Sequence, residues 1–316
     1  MAFKHSNRFM ASHLDTHSTD NSAANSGLGK ETEYVNTYDK SLLYPIARSN
    51  ARDALNISNT QLPFTGRDLW TAWEISWLNA KGLPQVAVAE FSLPANTHSI
   101  IESKSFKLYL NSFTQTQFNS WDQVKQVLIE DLSAAAQGVV EVELLTLSEA
   151  CEFFTMSDGI ASTPFEFTDS PQGRDIPVVY LDSIDADVSD YQVNSSLLRL
   201  DAKQNEPTEQ VLFSNLLKTN CPVTGQPDWA SVWIYYQGEA IDAEGVLKYL
   251  VSMRDHQDFH EQCVENIFLD IARMCSPNKL AVYARYTRRG GLDINPFRTN
   301  VDAAELSLRP VRLVRQ

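Results

Sequence analysis

The sequence predicts an α+β fold in which helices pack on one face of antiparallel sheets, built twice along the chain. Each half contains segments in which apolar residues alternate with polar or small ones, the pattern of half-buried strands. Each half also contains one or two segments with apolar residues at helical spacing. With 316 residues, of which 43% are hydrophobic, the chain is long enough for two domains with substantial cores.

The first half is expected to begin with a tail that takes no part in the fold. Residues 1–35 are rich in Ser, Asn, His and Thr and lack apolar periodicity, which predicts disorder. A strand is predicted over residues 85–91, after a turn at residues 81–84 that contains Gly and Pro. A second extended stretch is predicted over residues 103–113, which would place Ser103, Ser105, Lys107 and Tyr109 on one face of the strand.

A helix is predicted next, and then a strand. The apolar residues at helical spacing are Trp121, Val124, Val127, Leu128 and Leu132. Asn119 or Ser120 is expected to cap this helix, and Gly138 to end it. Residues 139–147 then alternate as a strand. The acidic, proline-containing stretch within 151–194 predicts an irregular connection.

The second half is expected to repeat this order of elements. Residues 232–236 predict a strand that ends in a turn at Gln237 and Gly238, and Asp242 is placed to cap a helix. A second helix is predicted by apolar residues that recur every four positions, namely Phe259, Cys263, Ile267, Ile271 and Cys275. Residues 280–286 predict the closing strand.

The charge of the chain excludes some classes of function. The 26 Lys and Arg residues against 40 Asp and Glu give a net charge of −14, which would repel a nucleic-acid backbone. No stretch approaches the roughly 18 uncharged apolar residues of a membrane helix, and the N-terminus lacks a secretory signal. We therefore expect a cytoplasmic protein without nucleic-acid or membrane partners. The four cysteines form no Cys-x-x-Cys pair, so reduced thiols are expected.

A loop thiol is the first candidate for chemistry. Cys221 and Asp228 lie in a segment with two prolines and a glycine, where a helix is excluded. A thiol with an acid close by suits nucleophilic attack followed by proton donation, although a buried structural cysteine is the alternative interpretation. Cys263 and Cys275 lie on the apolar side of the second predicted helix, and we expect them to be structural.

Three further motifs leave their roles open. Arg288, Arg289 and two glycines form a basic turn that could hold a phosphate or be an ordinary surface turn. His256, His260 and Cys263 have a spacing that permits zinc, but no fourth ligand is indicated. No Gly-x-Gly-x-x-Gly follows a strand, so a Rossmann nucleotide domain is not expected.

Four blocks together resemble the QueF family, the NADPH-dependent 7-cyano-7-deazaguanine reductases of queuosine biosynthesis. They are Glu-Ser-Lys-Ser-Phe-Lys-Leu-Tyr at 102–109, the Cys221 to Trp229 loop, Phe-His-Glu-Gln-Cys at 259–263 and Tyr-Thr-Arg-Arg-Gly-Gly-Leu-Asp at 286–293. The blocks have the order of the long, two-module form. The resemblance implies two tandem tunnelling-fold (T-fold) modules, over residues 36–150 and 195–316, with residues 151–194 as the connection and a homodimer as the assembly.

The resemblance also implies a role for each matching residue. Cys221 would be the nucleophile that attacks the nitrile carbon to give a covalent thioimidate, and Asp228 the proton donor to the nitrile nitrogen. The residues that would bind the substrate are Ile101, Glu102, Ser103, His260 and Glu261, and those that would hold NADPH are Ser103, Lys104, Arg289 and Gly290.

Two other functions stay open beside this one. T-fold enzymes include zinc-dependent purine cyclohydrolases, which stoichiometric zinc in the purified protein would indicate. A purine- or pterin-binding module without catalysis is the second alternative, and the intact Cys221 and Asp228 loop argues against it.

Overall fold

The computed structural model describes residues 34–58, 61–168, 176–204 and 206–316. The tail predicted over residues 1–35 lies outside these ranges except for its last two residues. The strands of the described residues are β1 (Pro45–Ala47), β2 (Thr65–Leu78), β3 (Pro84–Pro94), β4 (Ser99–Ile101), β5 (Glu141–Leu145), β6 (Thr155–Met156), β7 (Phe165–Phe167), β8 (Val178–Tyr180), β9 (Thr208–Asn220), β10 (Pro227–Gly238), β11 (Lys279–Tyr286), β12 (Leu292–Thr299), β13 (Leu306–Leu308) and β14 (Val311–Arg312). Their α-helices are α1 (Ser49–Ala54), α2 (Ser103–Ser112), α3 (Trp121–Ala136), α4 (Leu147–Phe153), α5 (Ala243–Ser252) and α6 (His260–Cys275).

One eight-stranded sheet runs through both halves of the chain. Its strand order is β5–β3–β2–β12–β11–β10–β9–β8, and all neighbours are antiparallel except β8 and β9. The halves meet where β12 pairs with β2, from Leu292 opposite Ala72 to Thr299 opposite Thr65. The predicted α+β class with antiparallel strands is confirmed.

The four longer helices, α2, α3, α5 and α6, pack on one face of this sheet. In the first half, the face buries aromatic side chains such as Trp70 and Phe91 against α2 and α3. In the second half it buries residues of β10 and β11 against α5 and α6. The short helix α4 and the strands β7, β13 and β14 cover parts of the opposite face. No helix of the described ranges is both long and apolar enough to cross a membrane.

The helices predicted from apolar periodicity are present, with the expected caps. Ser120 caps α3 through its side chain, which accepts a hydrogen bond from the Gln123 N–H. The helix ends at Gln137, which adopts the left-handed conformation with φ 51°, and Gly138 follows. Asp242 caps α5 by accepting from the Glu244 N–H. Each cap satisfies an N–H that the first turn of a helix leaves unpaired.

The extended stretch predicted over residues 103–113 is wrong, because this segment forms α2. Both carboxylate oxygens of Glu102 accept main-chain hydrogen bonds, from Lys104 N at 2.7 Å and from Ser105 N at 2.8 Å. Four buried apolar residues of this segment, Phe106, Tyr109, Leu110 and Phe113, share one helical face. The predicted strand put Phe106 and Tyr109 on opposite faces, whereas both are buried because they are three residues apart in a helix.

Residues 280–286 do form a strand, β11, but it does not close the sheet. The turn after it contains Gly290 and Gly291, both with positive φ, and leads back into β12. The strand predicted over 139–147 is shorter than expected, because Thr146 and Glu149 form a capping box that starts α4. The described parts of the acidic connection are mainly irregular, yet β8 within it adds the edge strand of the main sheet.

A buried ion cluster joins the helices to the sheet. Arg298 of β12 contacts Asp68 of β2 and Glu265 of α6, each at 2.8 Å. Arg48 pairs with Asp68 and Arg52 with Glu265, both at 2.6 Å. All five side chains are almost fully buried. Burial opposes the ionisation of Asp68, but Arg298 and Arg48 outweigh it and hold the pKa of this carboxyl below its usual range.

Removing one member of this cluster should destabilise the protein strongly. Glu265→Ala leaves the guanidinium groups of Arg52 and Arg298 buried without this partner, and we expect a loss of about 3–5 kcal/mol in the free energy of unfolding. The matched control is Glu143→Ala, which breaks a surface pair with Lys125 and should cost less than about 1 kcal/mol. Urea denaturation followed by circular dichroism measures both. Equal losses of unfolding free energy in the two variants would show that the buried cluster contributes no more to stability than the surface pair.

Candidate active site

A pocket opens on the helical face of the sheet, beside the junction between the two halves. Its walls come from the first turns of α2 and α6, from the turn after β9 and from the turn between β11 and β12. Seven of the residues singled out in the sequence line it, namely Ile101, Ser103, Cys221, Asp228, His260, Glu261 and Arg289. These residues come from both halves of the chain, and the fold brings them together.

Cys221 lies directly after β9, at the start of the turn that leads into β10. Its N–H donates to the Gln226 carbonyl at 2.9 Å, and its carbonyl accepts from the Gly225 N–H at 3.0 Å. Gly225 has φ +66°, a conformation that favours glycine. The predicted loop around the thiol is therefore present as a tight turn. Cys221 is a free thiol, 9% exposed, and it lines the pocket.

Asp228 lies between Arg289 and His260 in this pocket. It belongs to β10 rather than to the loop, opposite Thr219 of β9, and it is almost fully buried. The same oxygen, Oδ1, lies 2.5 Å from a guanidinium nitrogen of Arg289 and 3.2 Å from Nε2 of His260. Arg289 also donates to the carbonyls of Gln226 and Pro227, each at 2.9 Å. Arg289 thus fastens its own turn to the Cys221 turn.

The imidazole of His260 is fixed on three sides. Its ring stacks on Tyr286, with centroids 3.7 Å apart and planes 8° from parallel. Its Nδ1 lies 3.3 Å from the Ile294 carbonyl, and its Nε2 faces Asp228. When Nδ1 donates to that carbonyl, a neutral ring presents a lone pair to Asp228, and a protonated ring presents an N–H. The ring can therefore exchange a proton at the position of the Asp228 carboxylate.

Glu261 forms the buried end of the pocket. It follows His260 in the first turn of α6 and is 2% exposed. Burial, together with the negative charge of Asp68, raises the pKa of Glu261 to about 7, although His260 and Arg48 act in the opposite direction. A carboxyl with this pKa changes its protonation state near neutral pH. The charge of Glu261 also interacts with Asp68 and Arg48, two members of the buried ion cluster.

Lys107 is a pocket residue that was not assigned to the site from the sequence. It lies one turn after Ser103 on α2, and its side chain reaches the pocket near Arg289. Burial and the positive charge of Arg289 lower the pKa of Lys107, while Glu102, Asp228 and Cys221 oppose this shift. The predicted strand and the observed helix both place Lys107 on the same face as Ser103, because residues four apart share a face in either element.

Three predicted site residues do not line the pocket directly. Glu102 is fully buried, with its carboxylate engaged as the cap of α2. Lys104 is half-buried beside it in the same first turn. Gly290 is exposed at the tip of the turn between β11 and β12, with φ +57°. All three lie next to lining residues, so they surround the pocket without forming its wall.

The geometry does not bring together the possible zinc ligands of the second half. His256 Nε2 lies 3.5 Å from Asp258, whereas His260 faces Asp228. Cys263 lies fully buried in the core with Cys275, and burial raises the pKa of the Cys263 thiol well above its ordinary value. Across the described ranges, no group of three or more His, Cys, Asp or Glu side chains could hold a metal ion. The structural assignment of Cys263 and Cys275 is confirmed.

Comparison with known proteins gives two family matches. Residues 34–144 match the family described as "Nitrile reductase, 7-cyano-7-deazaguanine-reductase N-term", and residues 227–305 match "QueF-like protein". One solved structure shows weak similarity to this chain. The archaeosine synthase QueF-Like in its apo form is 16% identical with a TM-score of 0.26, and the match covers 29% of this chain and 91% of that one. A score this low carries no argument about the fold.

Similarity to curated proteins extends over most of the chain. The NADPH-dependent 7-cyano-7-deazaguanine reductase of Paraburkholderia xenovorans (strain LB400) is 52% identical over 275 residues, which are 87% of this chain and 93% of that protein. The protein of the same name from Burkholderia multivorans (strain ATCC 17616 / 249) has the same identity and coverage. With this similarity and the two family matches, the chain belongs to the QueF family of nitrile reductases.

Proposed function

We propose that this protein reduces the nitrile of 7-cyano-7-deazaguanine to an aminomethyl group with NADPH, in the biosynthesis of queuosine. Relatives at 52% identity are named for this NADPH-dependent activity. The observation that carries the proposal is the meeting of Cys221 and Asp228 in one pocket with His260 and Glu261. Addition to a nitrile requires a nucleophile and a proton donor, which the thiol and the buried acid can supply.

Cys221 is proposed as the nucleophile. Its thiolate forms a bond to the nitrile carbon, and one carbon–nitrogen π bond opens to give a thioimidate. The nitrogen takes up a proton in the same step. The tight turn that begins at Cys221, which Arg289 ties to Asp228, fixes the backbone that carries the thiol relative to this carboxyl. This fixed position reduces the entropy that attack would otherwise cost.

Asp228 is proposed as the proton donor to the nitrile nitrogen. It lies in the same pocket as Cys221 and is almost fully buried, so bulk water does not compete at this position. His260, 3.2 Å from Asp228, is placed to return a proton to it or to serve the second reduction. The cationic Arg289 stabilises the carboxylate that remains after the proton has left.

Glu261 is proposed to accept hydrogen bonds from the guanine-like N–H edge of the substrate. Its position at the buried end of the pocket suits a group that fixes orientation. Ile101, Ser103 and His260 would complete the substrate site. Glu102 is proposed as a further acceptor. Its carboxylate already caps α2, but each oxygen has two lone pairs and can therefore accept a second hydrogen bond from a substrate N–H.

Two molecules of NADPH would each supply one hydride to the carbon of the former nitrile. The carbon–sulfur bond breaks between the two reductions and returns the thiolate to Cys221, and the nitrogen takes up one proton with each hydride. The residues around the pocket fit its phosphates, since Lys104, Lys107 and Arg289 are cations and the backbone at Gly290 is exposed and open. Ser103 offers a hydroxyl on the same side. Arg289 would have to exchange part of its contacts with Asp228 and the Cys221 turn in order to hold a phosphate.

We also propose that the chain consists of two tandem T-fold modules, 36–150 and 195–316, joined by residues 151–194. The order of elements supports this, because each half has a long hairpin, two helices and a further strand. These elements are β2, β3, α2, α3 and β5 in the first half, and β9, β10, α5, α6 and β11 in the second. A homodimer in the cytoplasm is the proposed state. The zinc cyclohydrolase and the non-catalytic binding module are not favoured, because the relatives are named as reductases.

The activity is tested by stoichiometry and by the adduct. The purified protein should consume two NADPH per nitrile reduced, and mass spectrometry should detect substrate bound to the protein when NADPH is omitted. Cys221→Ala should abolish this adduct, because no other thiol of the described chain lines the pocket. Cys151→Ala, which removes an exposed thiol, is the control and should leave it unchanged. An adduct on Cys221→Ala would remove Cys221 from its role.

The proton donor is tested by removing its acidity. Asp228→Asn should keep substrate binding but slow adduct formation by about 10²–10⁴-fold, the usual contribution of a general acid. Stopped-flow measurement of adduct formation and calorimetry of binding separate the two effects. Asp258→Asn, the same change at another carboxyl that lines the pocket, should have a much smaller effect. Wild-type adduct kinetics in Asp228→Asn would refute the assignment.

The role of Glu261 predicts a pH dependence of substrate binding. Its pKa of about 7 means that the hydrogen-bond-accepting carboxylate is lost as the pH falls below 7. Substrate affinity should therefore fall by up to about 10-fold per pH unit below 7, as the ionised fraction decreases. Calorimetry on Cys221→Ala, which cannot form the adduct, measures this affinity. Adding Glu261→Gln should weaken binding and remove the slope, and an unchanged slope would exclude Glu261 as its source.

A further inference from the structure

The pocket wall contains a gap in the backbone ladder of the sheet. β11 and β12 pair only at three positions, from Ala281 opposite Thr299 to Tyr283 opposite Phe297. The next residue of β12 is Pro296, which has no N–H to donate. Beyond it the strands bond to their outer neighbours, β11 to β10 and β12 to β2. The two strands therefore lack ladder pairs over the stretch that borders the pocket.

Two side-chain amides bridge this gap. Asn295 Oδ1 accepts from the Tyr286 N–H at 3.1 Å. Gln316 Nε2 donates to the Tyr286 carbonyl and to Asn295 Oδ1, each at 3.1 Å. Gln316 Oε1 accepts from Arg285 Nε at 2.5 Å and from the Leu313 N–H at 3.2 Å. Gln316 is 5% exposed, and its amide replaces the missing main-chain bonds between the strands.

The bridged residues are also those that hold His260. Tyr286 of β11 stacks on the His260 ring, and Ile294, the neighbour of Asn295 in β12, presents its carbonyl to His260 Nδ1. The spacing between the two strands therefore sets the position of the imidazole relative to Asp228. Gln316 touches neither the pocket nor His260 directly, so any effect on the reaction must pass through these strands.

We propose that Gln316 is a positioning residue for His260, acting through the hydrogen bonds that its side-chain NH₂ donates across the gap between β11 and β12. The consequence for catalysis rests on the proposed function. The consequence for the imidazole does not, because it is a property of the protein without substrate. The two hydrogen bonds that Gln316 Nε2 donates, to Tyr286 and Asn295, distinguish this role from simple anchoring. Anchoring residue 316 to Arg285 and Leu313 needs only the acceptor atom, Oε1.

The test uses two variants and a control. Gln316→Glu keeps an acceptor for Arg285 and Leu313, but it places an oxygen against the Tyr286 carbonyl and Asn295 Oδ1. Gln316→Met keeps the approximate volume and loses all four hydrogen bonds. Val314→Ala changes a nearby side chain that is 87% exposed, and it should behave as the parent protein. Circular dichroism confirms that each variant is folded.

The first measurement is the NMR signal of the His260 ring, in protein labelled with ¹³C at histidine and assigned with His260→Asn. We expect the chemical shift of this signal to change in Gln316→Glu and Gln316→Met and to stay unchanged in Val314→Ala. The second is nitrile reduction, where both Gln316 variants should lose about 10- to 100-fold in kcat, while the KM for NADPH changes less than about 2-fold.

A Gln316→Glu protein with the parent's His260 signal and kcat would overturn the proposal, because it would leave only an anchoring role. An unchanged His260 signal with reduced kcat would also overturn it, since the imidazole would not have moved. A parent protein that reduces no nitrile would refute the proposed function instead, and the ring signal would still decide the role of Gln316.

Discussion

Arg298 stabilises the rest of the structure by satisfying two buried acids at once, Asp68 on β2 and Glu265 on α6. With Arg48 and Arg52 the cluster holds three guanidinium groups against two carboxylates, so it carries one excess positive charge. Such groups are costly to bury, and the cost is offset only when every partner is in place. The cluster therefore fixes the junction strands, α1 and α6 in one arrangement. The N-terminal end of α6, which supplies His260 and Glu261, is held by the same contacts.

The excess charge of the cluster has an electrostatic effect on the pocket. Glu261 lies one helical turn before Glu265, and its carboxylate form would balance the third guanidinium. Burial and Asp68 nevertheless keep its pKa near neutrality, so this charge is gained or lost with small changes in the surroundings. At the other side of the pocket, Asp228 is shared by Arg289 and His260. The two acids of the pocket thus have different electrostatic surroundings, since Asp228 lies beside a guanidinium while Glu261 is buried close to another carboxylate.

Many helices and strands could be predicted from the spacing of apolar residues, and the site residues could be predicted from the sequence motifs. The helices around Val124 and Ile267 were predicted because their apolar spacing is regular, and the first of them also has a side-chain cap, Ser120. The strand prediction for residues 103–113 was wrong. The carboxylate of Glu102 caps α2, and this role becomes visible only in the folded backbone. Lys107 was left out of the site because the resemblance gave it no role, although the predicted strand also placed it on the same face as Ser103. The contacts of Gln316 join segments distant in sequence and follow no local pattern, so no inspection of residues near 316 could have found them.

The pairing of β2 with β12 has a consequence for how the protein acquires its structure. Thr65 lies opposite Thr299, so most of the chain separates the two partners. Closing so long a loop has an entropic cost that only the completed contacts offset, and such non-local pairings form slowly. During synthesis, which proceeds from the N-terminus, β2 emerges long before its partner. One edge of the hairpin formed by β2 and β3 therefore stays open until β12 arrives, and the pocket beside that junction is assembled only in the last stage of folding.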